Sequence, residues 1–158
     1  MAKTPQLNTL TIAHQSGPLK FKFERGGYFI RDGLLTISIQ TEAIDDEQSP
    51  RCAHFCLENA PLKHELRVGD KFRCKGGMFA ELEEEETDGP KASAYFEFHA
   101  EEIDLTFTVQ EIGKTTIQFA LKAKHDDVDC YDDRAKPSAT TGLFELRKKK
   151  RDQLWIPV

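Results

Sequence analysis

Cys52, His54 and Cys56 are the residues of this chain best suited to soft-metal chemistry. Alternate positions on a strand would place all three on one face. His64, Cys74, His125 and Cys130 are available elsewhere in the chain. Zinc wants four such ligands in a tetrahedron, and C-x-H-x-C is not the C-x₂-C knuckle that sets two thiolates on one tight turn. Buried structural thiols are the favoured reading, because free cysteine behaves as a small hydrophobe. No metal is therefore assigned.

A second group is Asp126, Asp127, Asp129, Asp132 and Asp133. Calcium wants about 6–8 oxygen ligands, and a carboxylate-rich loop supplies some of them. The spacing lacks the glycine of an EF-hand loop. A solvated or partner-facing loop fits better than a calcium site. Cys130 beside His125 is a formal nucleophile and base, but nearness in sequence does not bring a base to hydrogen-bond distance. No G-x-S-x-G elbow is present either. The expectation is a protein that is not an enzyme and needs no cofactor.

Two further features concern charge. Arg147, Lys148, Lys149, Lys150 and Arg151 form a basic run, read as a solvated turn before the apolar Leu154-Trp155-Ile156. Acidic residues gather at Glu42/Asp45/Asp46/Glu47, at Glu81 and Glu83–Glu86, at Glu101/Glu102/Asp104, and at 126–133. Singly, each means solubility. Together they describe an acidic edge that would steer a basic protein toward this one.

The elements that must carry these groups are strands. Apolar and polar residues alternate over 9–12, 19–24, 35–40, 94–99, 103–110 and 116–123. Such alternation buries one face of an antiparallel sheet. Turn chemistry separates the runs at Ser16-Gly17-Pro18, Gly26-Gly27, Asp32-Gly33, Gly69-Asp70, Gly76-Gly77, Asp88-Gly89-Pro90 and Ile112-Gly113-Lys114. Ser49-Pro50 with Cys52, Phe55, Cys56 and Asn59 fits a short helix near 50–59, while Ala53, Phe55 and Leu57 fit a strand equally well. The residues from His125 to Thr141, rich in Asp, Ser, Thr and Pro, read as a long loop. The fold expected is all-β, with at most that one helix: an antiparallel sandwich or partly open barrel of about 8–10 strands.

The chain has 158 residues, with 22 Lys+Arg against 27 Asp+Glu and a formal net charge of −5. That length suits a single domain spanning 1–158. Its 11 phenylalanines provide a core and argue against disorder. The acidic balance makes it a poor general binder of nucleic acid, whose phosphates need clustered cations. No apolar stretch approaches the ~20 residues of a membrane span. Met1–Asn8 is not followed by the ~7–15 apolar residues of a signal peptide, so a cytoplasmic location is expected.

The functional expectation is a non-enzymatic protein-binding domain. Its sharpest form is an acidic inhibitor, such as an immunity protein that covers the cationic active site of a toxic enzyme. The binding surface would comprise Asp126, Asp127, Asp129, Asp132 and Asp133 with Tyr131, and Phe79 with Glu83, Glu84 and Glu85. Tyr131, Phe79 and Tyr95 are the candidate aromatic anchors, since tight interfaces centre on buried aromatics. The alternative is a ligand- or carbohydrate-binding β-module with calcium assistance, although one Trp and three Tyr are few for sugar platforms.

Overall fold

The computed structural model describes residues 6–14, 17–43, 52–76, 90–96, 98–99, 102–125 and 138–154. Among these residues ten antiparallel strands follow one another: β1 (Thr9–His14), β2 (Gly17–Arg31), β3 (Leu34–Thr41), β4 (Ala53–Pro61), β5 (Lys71–Gly76), β6 (Lys91–Phe96), β7 (Phe98–His99), β8 (Ile103–Ile112), β9 (Thr116–His125) and β10 (Ser138–Arg147). They form one sheet in the order β5-β8-β9-β10-β1-β2-β3-β4-β6-β7.

The sheet curls until it nearly closes into a barrel. No ladder of hydrogen bonds joins β5 to β6, yet their backbones abut. A Cβ added to Gly76 on β5 would lie 2.4 Å from the Ala92 carbonyl oxygen on β6. Glycine permits this approach, and full closure is one way to remove exposed sheet edges.

The long strand β2 makes the corner. Its first half pairs with β1 and its second half with β3, with a register shift between Phe23 and Arg25. Gly26 follows at φ +152°, and a Cβ there would meet the Ser38 carbonyl oxygen. The Gly26-Gly27 pair is therefore a bend within a strand, not the turn its sequence suggests. Bulges with glycine re-aim a strand without ending it. The turn comes later, at Asp32 (φ 53°) and Gly33 (φ 74°), the two positive values a two-residue hairpin requires.

The segment with equal helix and strand patterns is β4. Inward-facing Phe55 and Leu57 are buried, and His54 and Cys56 on the other face are buried as well. A second bulge occurs where β3 pairs with β4 between Leu35 and Ile37. Asn59 sits at φ 59° there, and its N–H donates to Thr36 Oγ1 at 3.2 Å. The only helical turn among the described residues is the short 3₁₀ segment Arg151–Gln153.

The interior is aromatic and aliphatic. Phe21, Phe55, Phe107, Phe119 and Phe144 are essentially inaccessible, together with Leu10, Ile12, Leu35, Ile37, Ile39, Leu57 and Leu105. Phe119 lies at the centre, 5.7 Å from the Tyr28 ring and 6.3 Å edge-on from Phe107. Strands β8 and β9 show the clean alternation read from their sequence.

Candidate functional site

The pairing register sorts the connections between the two ends of the barrel. At one end β3 stops at Thr41, and β4 starts at Ala53 opposite Phe96, the last residue of β6. His125, the last residue of β9, pairs with both Ile103 at the start of β8 and Ser138 at the start of β10. The strand ends flanking segments 42–52, 100–102 and 126–137 thus share one end of the sheet. These segments carry Glu42, Asp45, Asp46, Glu47, Glu101, Glu102, Asp126, Asp127, Asp129, Asp132 and Asp133, eleven carboxylates against the three cations Arg51, Arg134 and Lys136.

The other end has the opposite balance. It gathers the Asp32-Gly33 turn, segment 62–70, the 113–115 turn and the residues after β10. Lys63, Arg67, Lys114, Lys148, Lys149, Lys150 and Arg151 are seven cations there, against the four anions Asp32, Glu65, Asp70 and Asp152.

Asp126, Asp127, Asp129, Tyr131, Asp132 and Asp133 lie outside the described residues, as do Phe79, Glu83, Glu84 and Glu85. Their flanks are described. The 126–133 group falls between His125 and Ser138, so His125 and 138–141 are strand rather than part of the expected 125–141 loop. The 77–89 segment falls between Gly76 and Lys91 on either side of the β5–β6 seam. Tyr95 is half-buried on β6, opposite His54.

Asp104 leaves the acidic group for a structural role. Arg73 donates to it from both Nε (2.9 Å) and Nη2 (2.6 Å) across β5 and β8. That bidentate bond holds the Asp104 carboxyl below its ordinary value, aided by the charges of Arg73, Lys75 and Lys124.

Among the described side chains the thiols and imidazoles do not converge on a metal-binding group. His54 and Cys56 occupy the outer face of β4, where both are buried. His54 Nε2 lies 3.0 Å from Ser38 Oγ. Burial pushes the Cys56 thiol far above its ordinary value, with the Glu58 charge adding to the effect. It is a poor ligand and a poor nucleophile, since both roles need the thiolate. His125 points inward instead, 2.8 Å from Thr140 Oγ1 and with its ring 5.8 Å from that of Phe55. Cys74 is buried on β5, and His64 lies at the far end of the barrel. No three His, Cys, Asp or Glu side chains form a metal-binding group among the described residues. Cys130 lies outside them.

The basic run is solvated at Arg147, Lys148, Lys150 and Arg151, which are exposed, but it is also anchored as a strap. Lys149 N–H donates to the Tyr28 carbonyl at 2.8 Å, and Lys149 packs over Gly27, where a Cβ would meet its Cγ at 2.5 Å. Arg151 reaches Glu58 at 3.8 Å. Arg25, Gly26, Ser38 and Gln40 line a small cleft with Asp152, Gln153 and buried Leu154. The strap thereby covers part of the outer face of β2 and β3.

The mouth of the barrel at the basic end holds a groove of about 430 Å³ that sequence reading did not anticipate. Tyr28, Ile30 and Ile117 line it from the strands, Leu62 and Leu66 from segment 62–70, and Lys63, His64, Glu65 and Lys148 from its rim. Segment 62–70 is anchored at both sides. Leu62 N–H donates to the Gly33 carbonyl at 2.8 Å, and Gly69 N–H donates to that of Val109 at 2.8 Å. The signals were present: Tyr28 and Ile30 continue the alternation of β2 past the glycine pair, and Leu62 and Leu66 are isolated apolar residues in a polar stretch.

The fold is thus an all-β, nearly closed antiparallel barrel. No family model matches the chain, and neither the curated proteins nor the solved structures include a significant match. No helix among the described residues is long and apolar enough to cross a membrane.

Proposed function

We propose that this protein is a non-enzymatic binding domain that presents one acidic end of its barrel to a basic protein. The observation that carries this reading is the shared end of the strands flanking the three acidic connections, with cations prevailing at the other end. A net charge of −5 understates this segregation. A molecule with opposite charge at its two ends orients as it approaches a charged partner, which raises the fraction of productive encounters.

The sharper form of the proposal is an inhibitor located in the cytoplasm, an immunity protein that occupies the cationic cleft of a toxic enzyme. Carboxylates on such connections can stand where an anionic substrate would bind. The high thiol pKa of Cys56 supports a role without covalent chemistry at that residue.

Affinity capture from the source organism tests the proposal. Wild-type protein is compared with a variant in which Asp126, Asp127, Asp129, Asp132 and Asp133 are changed to Asn. The expected result is a basic protein retained by the wild type and lost with the variant, whose fold is verified by circular dichroism. Equal retention by both would remove the acidic end from the interface.

A further inference from the structure

We infer that the groove at the basic mouth of the barrel is a binding site for a small apolar carboxylate, an alkyl or aryl acid whose tail enters the barrel and whose carboxylate faces the lysines. Its volume of about 430 Å³ falls within the range of small-molecule sites, roughly 300–1,000 Å³, and barrel mouths are a recurrent place for them. The floor is apolar: Ile30, Leu62, Leu66 and Ile117.

Two polar features select the ligand's head group. Lys63 and Lys148 both line the groove, one from segment 62–70 and one from the strap. The rim also holds His64, whose Nδ1 is 2.7 Å from the Glu65 carbonyl and 3.7 Å from Asp70, and one carboxylate, Glu65. The second feature is Tyr28, which is 8% exposed. Its hydroxyl has no hydrogen-bond partner among the described residues, and its side chain lines the groove. A ligand oxygen in the groove would supply that hydroxyl with a partner. A neutral apolar molecule would leave the cations unused. A dianion or a sugar would not match the apolar floor.

The groove lies at the pole opposite the acidic end and shares no residue with it.

The test uses the full chain and two probes, octanoate and the fluorescent anion 1-anilinonaphthalene-8-sulfonate. The fluorescent anion is expected to bind saturably at one site per chain and to be displaced by octanoate. Octanol should compete more weakly than octanoate. Changing Lys63 and Lys148 together to Ala should weaken octanoate about 2- to 30-fold, the scale of two partly solvated ion pairs. Tyr28→Phe should weaken it further while leaving the melting temperature close to that of the wild type. Partner capture through the acidic end should be unchanged by all three substitutions, so failure here is separable from failure of the proposed function.

Four outcomes overturn the inference. One is the absence of saturable binding. Another is binding that the substitutions leave unaltered. A third is affinity that falls as protein concentration rises, which would place a second copy of the chain in the groove. If phosphatidylglycerol vesicles bind the protein through Lys63 and Lys148 while octanoate does not bind, the lysines serve a membrane surface and the inference is likewise wrong.

Discussion

Replacing Gly76 with Ala tests the closure of the barrel through the sign of its effect. At a strand position with negative φ, Gly→Ala usually stabilises by about 0.4–1 kcal/mol, because it restricts the unfolded chain. Gly76 is not among the residues with positive φ, so its backbone poses no obstacle to Ala. Its surroundings do. The new Cβ would lie 2.4 Å from the Ala92 carbonyl oxygen, 2.9 Å from its nitrogen and 3.2 Å from its carbonyl carbon. Ordinary contacts begin near 3.4 Å, so β5 and β6 must separate by about 1 Å. These are backbone atoms of a paired strand and cannot rotate aside. Overpacking of this kind costs about 1–3 kcal/mol. For a chain of this size each kcal/mol lowers the melting temperature by about 2–4 °C. Thermal and urea unfolding should therefore show a drop of about 2–12 °C with an unchanged urea m-value. A melting temperature equal to or above the wild type would refute the abutment of β5 and β6.

Other outcomes follow from the same contacts. Gly26→Ala should destabilise by at least as much as Gly76→Ala, because its Cβ would meet the Ser38 carbonyl oxygen at 2.1 Å and its φ is +152°; urea unfolding measures this. Cys56 should resist a thiol reagent such as 5,5′-dithiobis(2-nitrobenzoate) until the protein unfolds, since burial keeps its proton on; labelling of Cys56 in the folded protein, read by mass spectrometry, would contradict this. Asp104 has a depressed carboxyl in the fold, so its contribution is complete above the ordinary carboxylate range and is lost as pH falls through the depressed value. Asp104→Asn should therefore flatten the acid limb of a stability–pH curve, by a small amount because the pair is solvent-exposed. Ser38→Ala should cost about 1 kcal/mol through loss of a buried hydrogen bond to His54.

The strands were legible wherever one face meets water. Ile103–Val109 and Ile117–Ala123 alternate in sequence and in burial alike. β4 was ambiguous because its outer face is also covered, so His54 and Cys56 are as buried as Phe55 and the period-2 signal is lost. The Gly26-Gly27 pair misled because glycine serves a turn and a bulged corner equally well, and only the close approach of Ser38 distinguishes them. The basic run hid its role because the contacts that fix it, to Tyr28, Gly27 and Glu58, are distant in sequence. The acidic clusters were plain in the composition. That the strands flanking three of them share one end depends on the pairing of β8, β9 and β10, which a single sequence does not specify.

The central claim concerns the acidic end, and the association rate of the captured partner tests it most directly. Stopped-flow measurements across ionic strength should give a rate that falls steeply as salt rises from 0.01 to 1 M, where the screening length shrinks from about 30 to 3 Å. The variant with Asn at the five aspartates should associate more slowly and show a shallower salt dependence, while Lys63 and Lys148 changed to Ala should leave the rate within about twofold of the wild type. A rate independent of salt, or one that the five substitutions leave unaltered, would contradict the account.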